Sequence, residues 1–329
     1  MLSITVPFAP REELYARLTI SATGLARADP SKSDTLPGHP RVLLNNPELG
    51  NFLSRELKTP KLDAFEPHLW KVAKQSSSHV TALSSQAVRG RNIILAEDPE
   101  LHLVWIRDRI YIKPIPKYLL SYSFWDVTFT RNSSPLRDDE RLQLGKAAQG
   151  FLRTYAHLIR HKSDFILAQK HGLIPKKIRY SAFISFITCF ERLQDSEVSP
   201  RYSYGELRLG RLNFWAPLAI GRLDFHKSAW QYGEYFSQFY GPLLFIFGVF
   251  AIILNAMQVA LAVQSLGSGV GGSWGVFADV CKVFSVLTLF VVLLVVVHLV
   301  LTFVIRGLRE LVFALRALYR RKRAAKNVP

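Results

Sequence analysis

Two stretches without Asp, Glu, Lys or Arg, residues 239–263 and 283–305, constrain this chain more than any other feature of its sequence. At 1.5 Å of rise per residue each makes a helix about 35 Å long, enough to cross a hydrocarbon core of about 30 Å. Buried helices of soluble domains rarely hold so long an uncharged run, so the sequence predicts a two-helix transmembrane hairpin over 239–305. The connection, 264–282, contains Gly267-Ser268-Gly269-Val270-Gly271-Gly272, a formal match to a dinucleotide-binding G-x-G-x-x-G pattern. That pattern works only between a strand and a helix N-terminus. Here an apolar helix precedes it, and the glycines read as a turn.

Cations near the ends of the two stretches set the expected orientation. After the second come Arg306, Arg309, Arg316, Arg320, Arg321, Lys322, Arg323 and Lys326 against Glu310 alone, while Asp279 and Lys282 cancel in the connection. The tail thus carries +7 of the net +17 and the connection none, which leaves +10 before the first stretch. Both termini are expected on the cytosolic side, and Asn132-Ser133-Ser134, a formal glycosylation sequon, would then stay unmodified. The first thirty residues lack the apolar run of a signal peptide. Beyond Ile305, Leu308, Leu311, Val312, Leu315 and Leu318 share one stripe, so 306–329 reads as a basic amphipathic tail drawn to anionic headgroups. Arg320-Arg321-Lys322-Arg323 also resembles a basic retention signal, which favours the endoplasmic reticulum over other membranes.

Polar side chains inside apolar spans are functional candidates by default. Asn255 and Gln258 fall on one face of the first span, and Thr288 of the second lies about as deep as Gln258, so a Gln258–Thr288 hydrogen bond is the expected glue. His298 lies at a different depth from Asn255. One histidine makes no proton path, and two helices make no pore unless the hairpin forms a homo-oligomer.

The remaining chain divides into a flexible arm over 1–40 and an α-rich α+β cytosolic domain with a small antiparallel sheet over 41–238. Asn46-Pro47 opens a helix with Leu49, Phe52, Leu53 and Leu57 in phase, ended by Pro60, and Phe65, Leu69 and Trp70 suggest a second. The period changes over 92–115, where short β-branched runs predict strands and a hairpin about Arg107-Asp108. Helices are expected again over 119–129, over 138–160 behind an acidic first turn, after Ser163 as cap up to Gly172, over 180–193 beyond Pro175, and over 204–214.

Candidate chemistry is sparse. His157 and His161 are spaced i,i+4 on the expected long helix, with Asp164 and His171 nearby, a spacing that suits a metal. The intervening Leu158-Ile159-Arg160 lacks the glutamate of H-E-x-x-H, and Arg160 and Lys162 repel a cation. Surface or capping histidines are the simpler account, and no motif calls for a cofactor. There is no G-x-S-x-G, P-loop, kinase or C-x-x-C signature, and Cys189 sits in an apolar aromatic stretch as expected of a buried thiol. Arg208 and Arg211 are left without an in-phase acid on the 204–214 helix and are candidates for lipid phosphates or an acidic protein partner. With no aromatic-interleaved RNA platform and no DNA-reading motif, the basic charge does not point to nucleic acid.

Several longer segments carry a family resemblance. Pro67-His68-Leu69-Trp70, Leu101-His102-Leu103-Val104-Trp105, the run from Lys113-Pro114 to Leu119-Leu120, residues 155–175, 204–213 and 231–236, and Ala256-Met257-Gln258-Val259 together resemble an uncharacterised family of filamentous-fungal membrane proteins. Gly210 stands where that pattern has serine. Some members resemble proteins labelled subtilisin-like proteases, but this chain lacks a matching Asp, His and Ser set. The resemblance implies a cytosolic domain followed by a membrane hairpin and supplies no activity. The leading expectation is therefore a non-enzymatic membrane-anchored domain that contacts anionic headgroups or a protein partner. A membrane-bound enzyme on a lipid-derived substrate, using His157, His161 and His171, is the alternative.

Overall fold

The computed structural model describes residues 4–21, 24–29, 34–131, 136–222, 224–226, 232–266, 276, 279–295, 297 and 301, with the backbone alone at 232–239, 242, 243, 260 and 263–266. The chain forms two compact units, residues 1–228 and 229–329.

The first unit is built around the helix with the strongest sequence signal, α5 (Asp138–Leu158), whose first turn carries Asp138, Asp139 and Glu140 at the positive end of the helix dipole. From Leu144 nearly every α5 side chain is buried, so it is a central helix with neighbours on all sides. Those neighbours include α7 (Tyr180–Glu191) and α1 (Leu49–Leu57). Tyr202 packs so closely on Gly150 that a Cβ there would lie 2.3 Å from its Cδ2.

The N-terminal segment, expected as a flexible arm, is part of this core. Ile4 and Phe8 are buried, and Phe8 meets the rings of Tyr122, Trp125, Phe186 and Phe190 edge-on or tilted. The amides of Leu14 and Tyr15 both donate to the Leu120 carbonyl, and Glu13 accepts from the Tyr122 amide. Two antiparallel hairpins follow, β1 (Leu18–Ser21) with β2 (Gly24–Arg27) and β3 (Thr35–Leu36) with β4 (His39–Leu43). Single apolar side chains that plug separate holes leave no period in the sequence, which is why the segment reads as irregular.

Pro60, expected only as a stop, is also the first residue of α2 (Pro60–Phe65), and a 3-10 turn continues it over Glu66–Lys71. After α3 (Leu83–Val88) comes a four-stranded sheet of β5 (Asn92–Leu95), β6 (Val104–Ile106), β7 (Arg109–Ile112) and β8 (Leu207–Arg208), in the order β5-β7-β6-β8. The expected β6–β7 hairpin forms, and Arg107 in its turn has a φ of 52°. The sheet is nevertheless mixed, because β5 runs parallel to β7 and β8 parallel to β6. The helix expected over 119–129 is split into a 3-10 turn, α4 (Tyr122–Trp125) and a π-helical turn. The capping residue of α6 (Lys162–Lys170) is His161 rather than Ser163, and α6 runs out at Gly172 with a φ of 73°. A second buried cluster joins α2, the 66–71 turn and α8 (Leu209–Ala219) through Leu62, Phe65, Leu69, Leu209, Leu212 and Ala216.

The second unit contains α9 (Tyr232–Leu266), and residues 279–295 are also helical. The rings of Phe250 and Phe284 lie 6.0 Å apart, which places these two helices against each other. Among the described residues no helix is long and apolar enough to cross a membrane. The side chains are described without a break only over 244–259 and 279–295 within the expected spans. Asn132, the glycine connection over 267–275 and the whole tail over 306–329 lie outside the described residues.

Replacing Gly150 by alanine forces the ring of buried Tyr202 to shift. A Gly150→Ala variant should lose about 1–3 kcal/mol of stability, read as an earlier midpoint in chemical denaturation. An unchanged midpoint would contradict the close approach.

Candidate functional site

The segment expected as a helix over 204–214 is extended at its start, and a distant carboxylate network explains why. Gly205 abuts the backbone of His79 so closely that a Cβ would come within 2.0 Å of its carbonyl oxygen. The Glu206 amide donates to that carbonyl at 3.1 Å. The Glu206 carboxylate is buried and accepts from the Thr81 amide at 2.7 Å, Gln86 Nε2 at 2.6 Å and Arg91 Nη1 at 2.9 Å. Helical geometry at 204–208 would pull Glu206 out of this set. The segment instead pairs as β8 with β6 and turns helical only from Leu209.

Arg208 and Arg211, the two cations proposed for contact, take different positions. The Arg91 and Arg208 guanidinium carbons lie 4.2 and 5.3 Å from the centroid of Trp105, so both cations share one ring. Arg211 is exposed on α8 and donates to the Val72 carbonyl at 3.1 Å. The exposed cations Lys162, Lys170, Lys176, Lys177 and Arg179 gather on α6 and the connection to α7, while the acid among them, Asp164, is buried.

The histidine constellation does not form. The long helix stops at Leu158, so His157 belongs to α5 while His161 is the cap of α6. Asp164 causes the break, because its carboxylate accepts from the amides of Arg160 at 3.1 Å, His161 at 2.8 Å and Ser84 at 2.7 Å. Burial raises its pKa, but these hydrogen bonds outweigh that and hold it below the ordinary value. His171 caps the far end of α6. Burial and the nearby Arg160 keep His157 below the usual imidazole range. Among the described residues no group of three His, Cys, Asp or Glu side chains could hold a metal ion. Cys189 is half-buried, its thiol 3.5 Å from Glu12 and raised in pKa by burial and that carboxylate.

The most buried titratable groups were not singled out by the sequence. The Arg201 guanidinium donates to the carbonyls of Tyr204 at 2.9 Å, Gly205 at 3.1 Å and His102 at 3.1 Å, and burial lowers it to about 10, still charged at neutral pH. His102 Nδ1 accepts from the Lys113 amide at 3.2 Å. Its Nε2 lies 2.8 Å from Thr154 Oγ1, whose hydroxyl donates to the Phe151 carbonyl. These partners assign the proton to Nε2, and burial beside Arg201 and Lys113 pushes the ring well below its usual pKa. The Lys113 ammonium is likewise buried against Glu56 at 2.7 Å and the Glu97 carbonyl. Each of these groups is sealed from solvent and held by backbone groups together with side chains such as Thr154 and Glu56, so each ties distant segments of the fold together.

What remains exposed is apolar. Leu209, Leu212 and Ala216 of α8 face the core, while Phe214 and Leu218 on its other side are 74% and 72% exposed and Trp70 in the 66–71 turn is 63% exposed. Lys71 Nζ lies 4.8 Å from the Trp215 ring and 5.4 Å from Trp70. The sequence reading ended this helix at Phe214 and weighed only its charges. In the second unit Asn255 and Gln258 are exposed on α9, among exposed Leu244, Phe245, Phe247, Ile252 and Val259. Thr288 is buried, and its hydroxyl donates to the Phe284 carbonyl at 2.8 Å. His298, Arg309, Arg316, Arg320, Arg321, Lys322 and Arg323 lie outside the described residues.

These features define an α-rich α+β domain with small sheets, followed by helices whose surfaces are apolar. The chain belongs to DUF6601, a family of unknown function whose model matches residues 49–292. That match carries neither the membrane hairpin nor the fungal origin implied by the resemblance. No curated protein and no solved structure matches the chain.

Two variants separate the buried from the exposed charges. Glu206→Gln leaves Arg91 uncompensated and should cost about 3 kcal/mol, whereas Arg208→Ala should cost under about 1 kcal/mol, both read by chemical denaturation. His102 adds a pH signature. Its folded pKa is depressed, so below about 6.5 the unfolded chain binds a proton that the folded chain refuses. Stability should therefore fall as pH drops from 7 toward 5, by up to about 1.4 kcal/mol per unit for each such proton. In His102→Gln the slope should be shallower, and an equal slope would mean that His102 titrates normally.

Proposed function

We propose that this protein is an integral membrane protein with a two-helix hairpin over 239–263 and 283–305, cytosolic termini and no catalytic activity of its own. Its basic domain contacts anionic headgroups or an acidic protein partner. The observation that carries this reading is the exposed apolar surface of the second unit. Leu244, Phe245, Phe247, Ile252 and Val259 on α9, with Val283, Val286, Leu289, Phe290 and Leu293 on the following helix, are all exposed. Side chains of this kind favour burial by about 1.5–3 kcal/mol each, so ten of them in water forgo more than the whole stability of a typical domain. A bilayer supplies the missing apolar surroundings, and the uncharged sequence continues at both ends past the described side chains. The family match reaches residue 292, so α9 and the following helix as far as that residue lie in the shared family region. The cation excess after residue 305 and before residue 239, against a neutral connection, supports the cytosolic placement of both ends. The tail cations Arg309, Arg316, Arg320, Arg321, Lys322 and Arg323 and the exposed cations of α6 and its loop fit anionic headgroups.

Microsomal membranes bearing the protein provide the test. It should stay in the pellet after alkaline carbonate extraction, and a glycosylation sequon inserted between residues 267 and 275 should be modified while Asn132 is not. Release by carbonate would remove the hairpin from the account, and sugar on Asn132 would reverse its orientation.

A further inference from the structure

Resting on the membrane reading above, we infer that the outer face of α8, with Trp70, is a second membrane contact that seats the domain in the headgroup–acyl boundary of the bilayer its own apolar segments enter. A helix apolar on both sides needs cover on both. The inner side of α8 has it in the second core cluster. On the outer side Phe214 and Leu218 stand a helical turn apart, Trp70 lies within the neighbouring 66–71 turn, and all three are exposed among the described residues.

The chain itself names the occupant. Asn213, on α8, holds the departing backbone: its Nδ2 donates to the His226 carbonyl at 3.0 Å, and its Oδ1 accepts from the amides of Phe225 at 3.0 Å and His226 at 3.1 Å. Phe225 is buried in the cluster under α8. The exit of the domain is therefore fastened to this helix. Only 227–231 intervene between His226 and the first residue of α9, a chain reach of at most about 20 Å. Another 10 Å or so of helix rise leads from Tyr232 to the uncharged run at 239. A bilayer that receives that run thus lies within reach of α8, whereas a separate protein partner has no such tether.

The chemistry of the face agrees. Amphipathic rings beside lysine and arginine are the composition of a membrane interface, with apolar bodies in the acyl edge and cations at the phosphates. Lys71 sits over the Trp70 and Trp215 rings, and Arg211 is exposed on α8. Trp70 is held ready, its indole donating to the Pro67 carbonyl at 3.1 Å.

Photo-crosslinking in vesicles of phosphatidylcholine and phosphatidylserine tests this with the full chain. A benzophenone-bearing phenylalanine is placed in turn at Phe214, Leu218, Val88 and Leu289, all exposed, so that folding is spared. Lipid adducts are expected at 214, 218 and 289, and not at 88, on α3. Adducts at 289 with none at 214 and 218, or with no more there than at 88, would overturn the docking and leave the hairpin standing. A protein adduct from 214 in place of lipid would overturn it in favour of a second copy. No adduct even at 289 would remove both the hairpin and the docking.

Discussion

A single buried guanidinium sets the geometry on which the outer half of the domain depends. Arg201 has no solvent to return to, and its donors are spent on the carbonyls of Tyr204, Gly205 and His102. An arginine in a low-dielectric interior is tolerable only if its donors are satisfied, so those three carbonyls must converge. Their convergence brings the 201–206 segment beside the start of β6. From there β8 can pair with β6, and Glu206 can enter the pocket formed by Thr81, Gln86 and Arg91. His102 completes the arrangement from the other side, its carbonyl serving Arg201 and its ring serving the Lys113 amide and Thr154.

The consequences run outward along the chain. With β8 fixed, α8 starts at Leu209 and lies on α2, which also fixes which of its side chains face out. Asn213 then ties the departing chain back to α8, and the buried Phe225 anchors it. Polar satisfaction deep in the domain thus decides where an apolar surface appears and where the chain leaves. The two are coupled through one helix.

How much of this was legible follows from how far each cause lies along the chain. Helices α5 and α7 were readable because their periodicity is local and long, and the β6–β7 hairpin because its turn residues are adjacent. The 204–214 segment was misread because the groups that extend it, Thr81, Gln86 and Arg91, precede it by more than a hundred residues. The i,i+4 spacing of His157 and His161 does not put both on one helix, for a nearer reason: Asp164 captures the amides of Arg160 and His161 and α5 ends before His161 is reached. Ile4 and Phe8 gave no signal at all, since single plugs have no period. The outer face of α8 is not legible, because the expected helix stops at Phe214 and only the position of β8 shows that Phe214 and Leu218 point away from the core.

The charge of the chain also changes meaning once its cations are placed. A net +17 suggests a uniformly positive surface. Yet Arg153, Arg201 and Lys113 are buried, with Arg153 donating to the Leu193 and Tyr202 carbonyls and to Asp195. Such groups hold backbone segments together and offer nothing to an anionic partner. Arg91 is spent on Glu206 and Trp105 in the same way. Among the cations left at the surface, Lys162, Lys170, Lys176, Lys177 and Arg179 follow one another on α6 and the following loop. Attraction to an anionic surface falls off within a Debye length, about 8–10 Å at ordinary ionic strength, so a local group of cations matters more than the total. The sign of the whole chain is therefore a poor guide to what it binds, and the placement of a few exposed lysines is a better one.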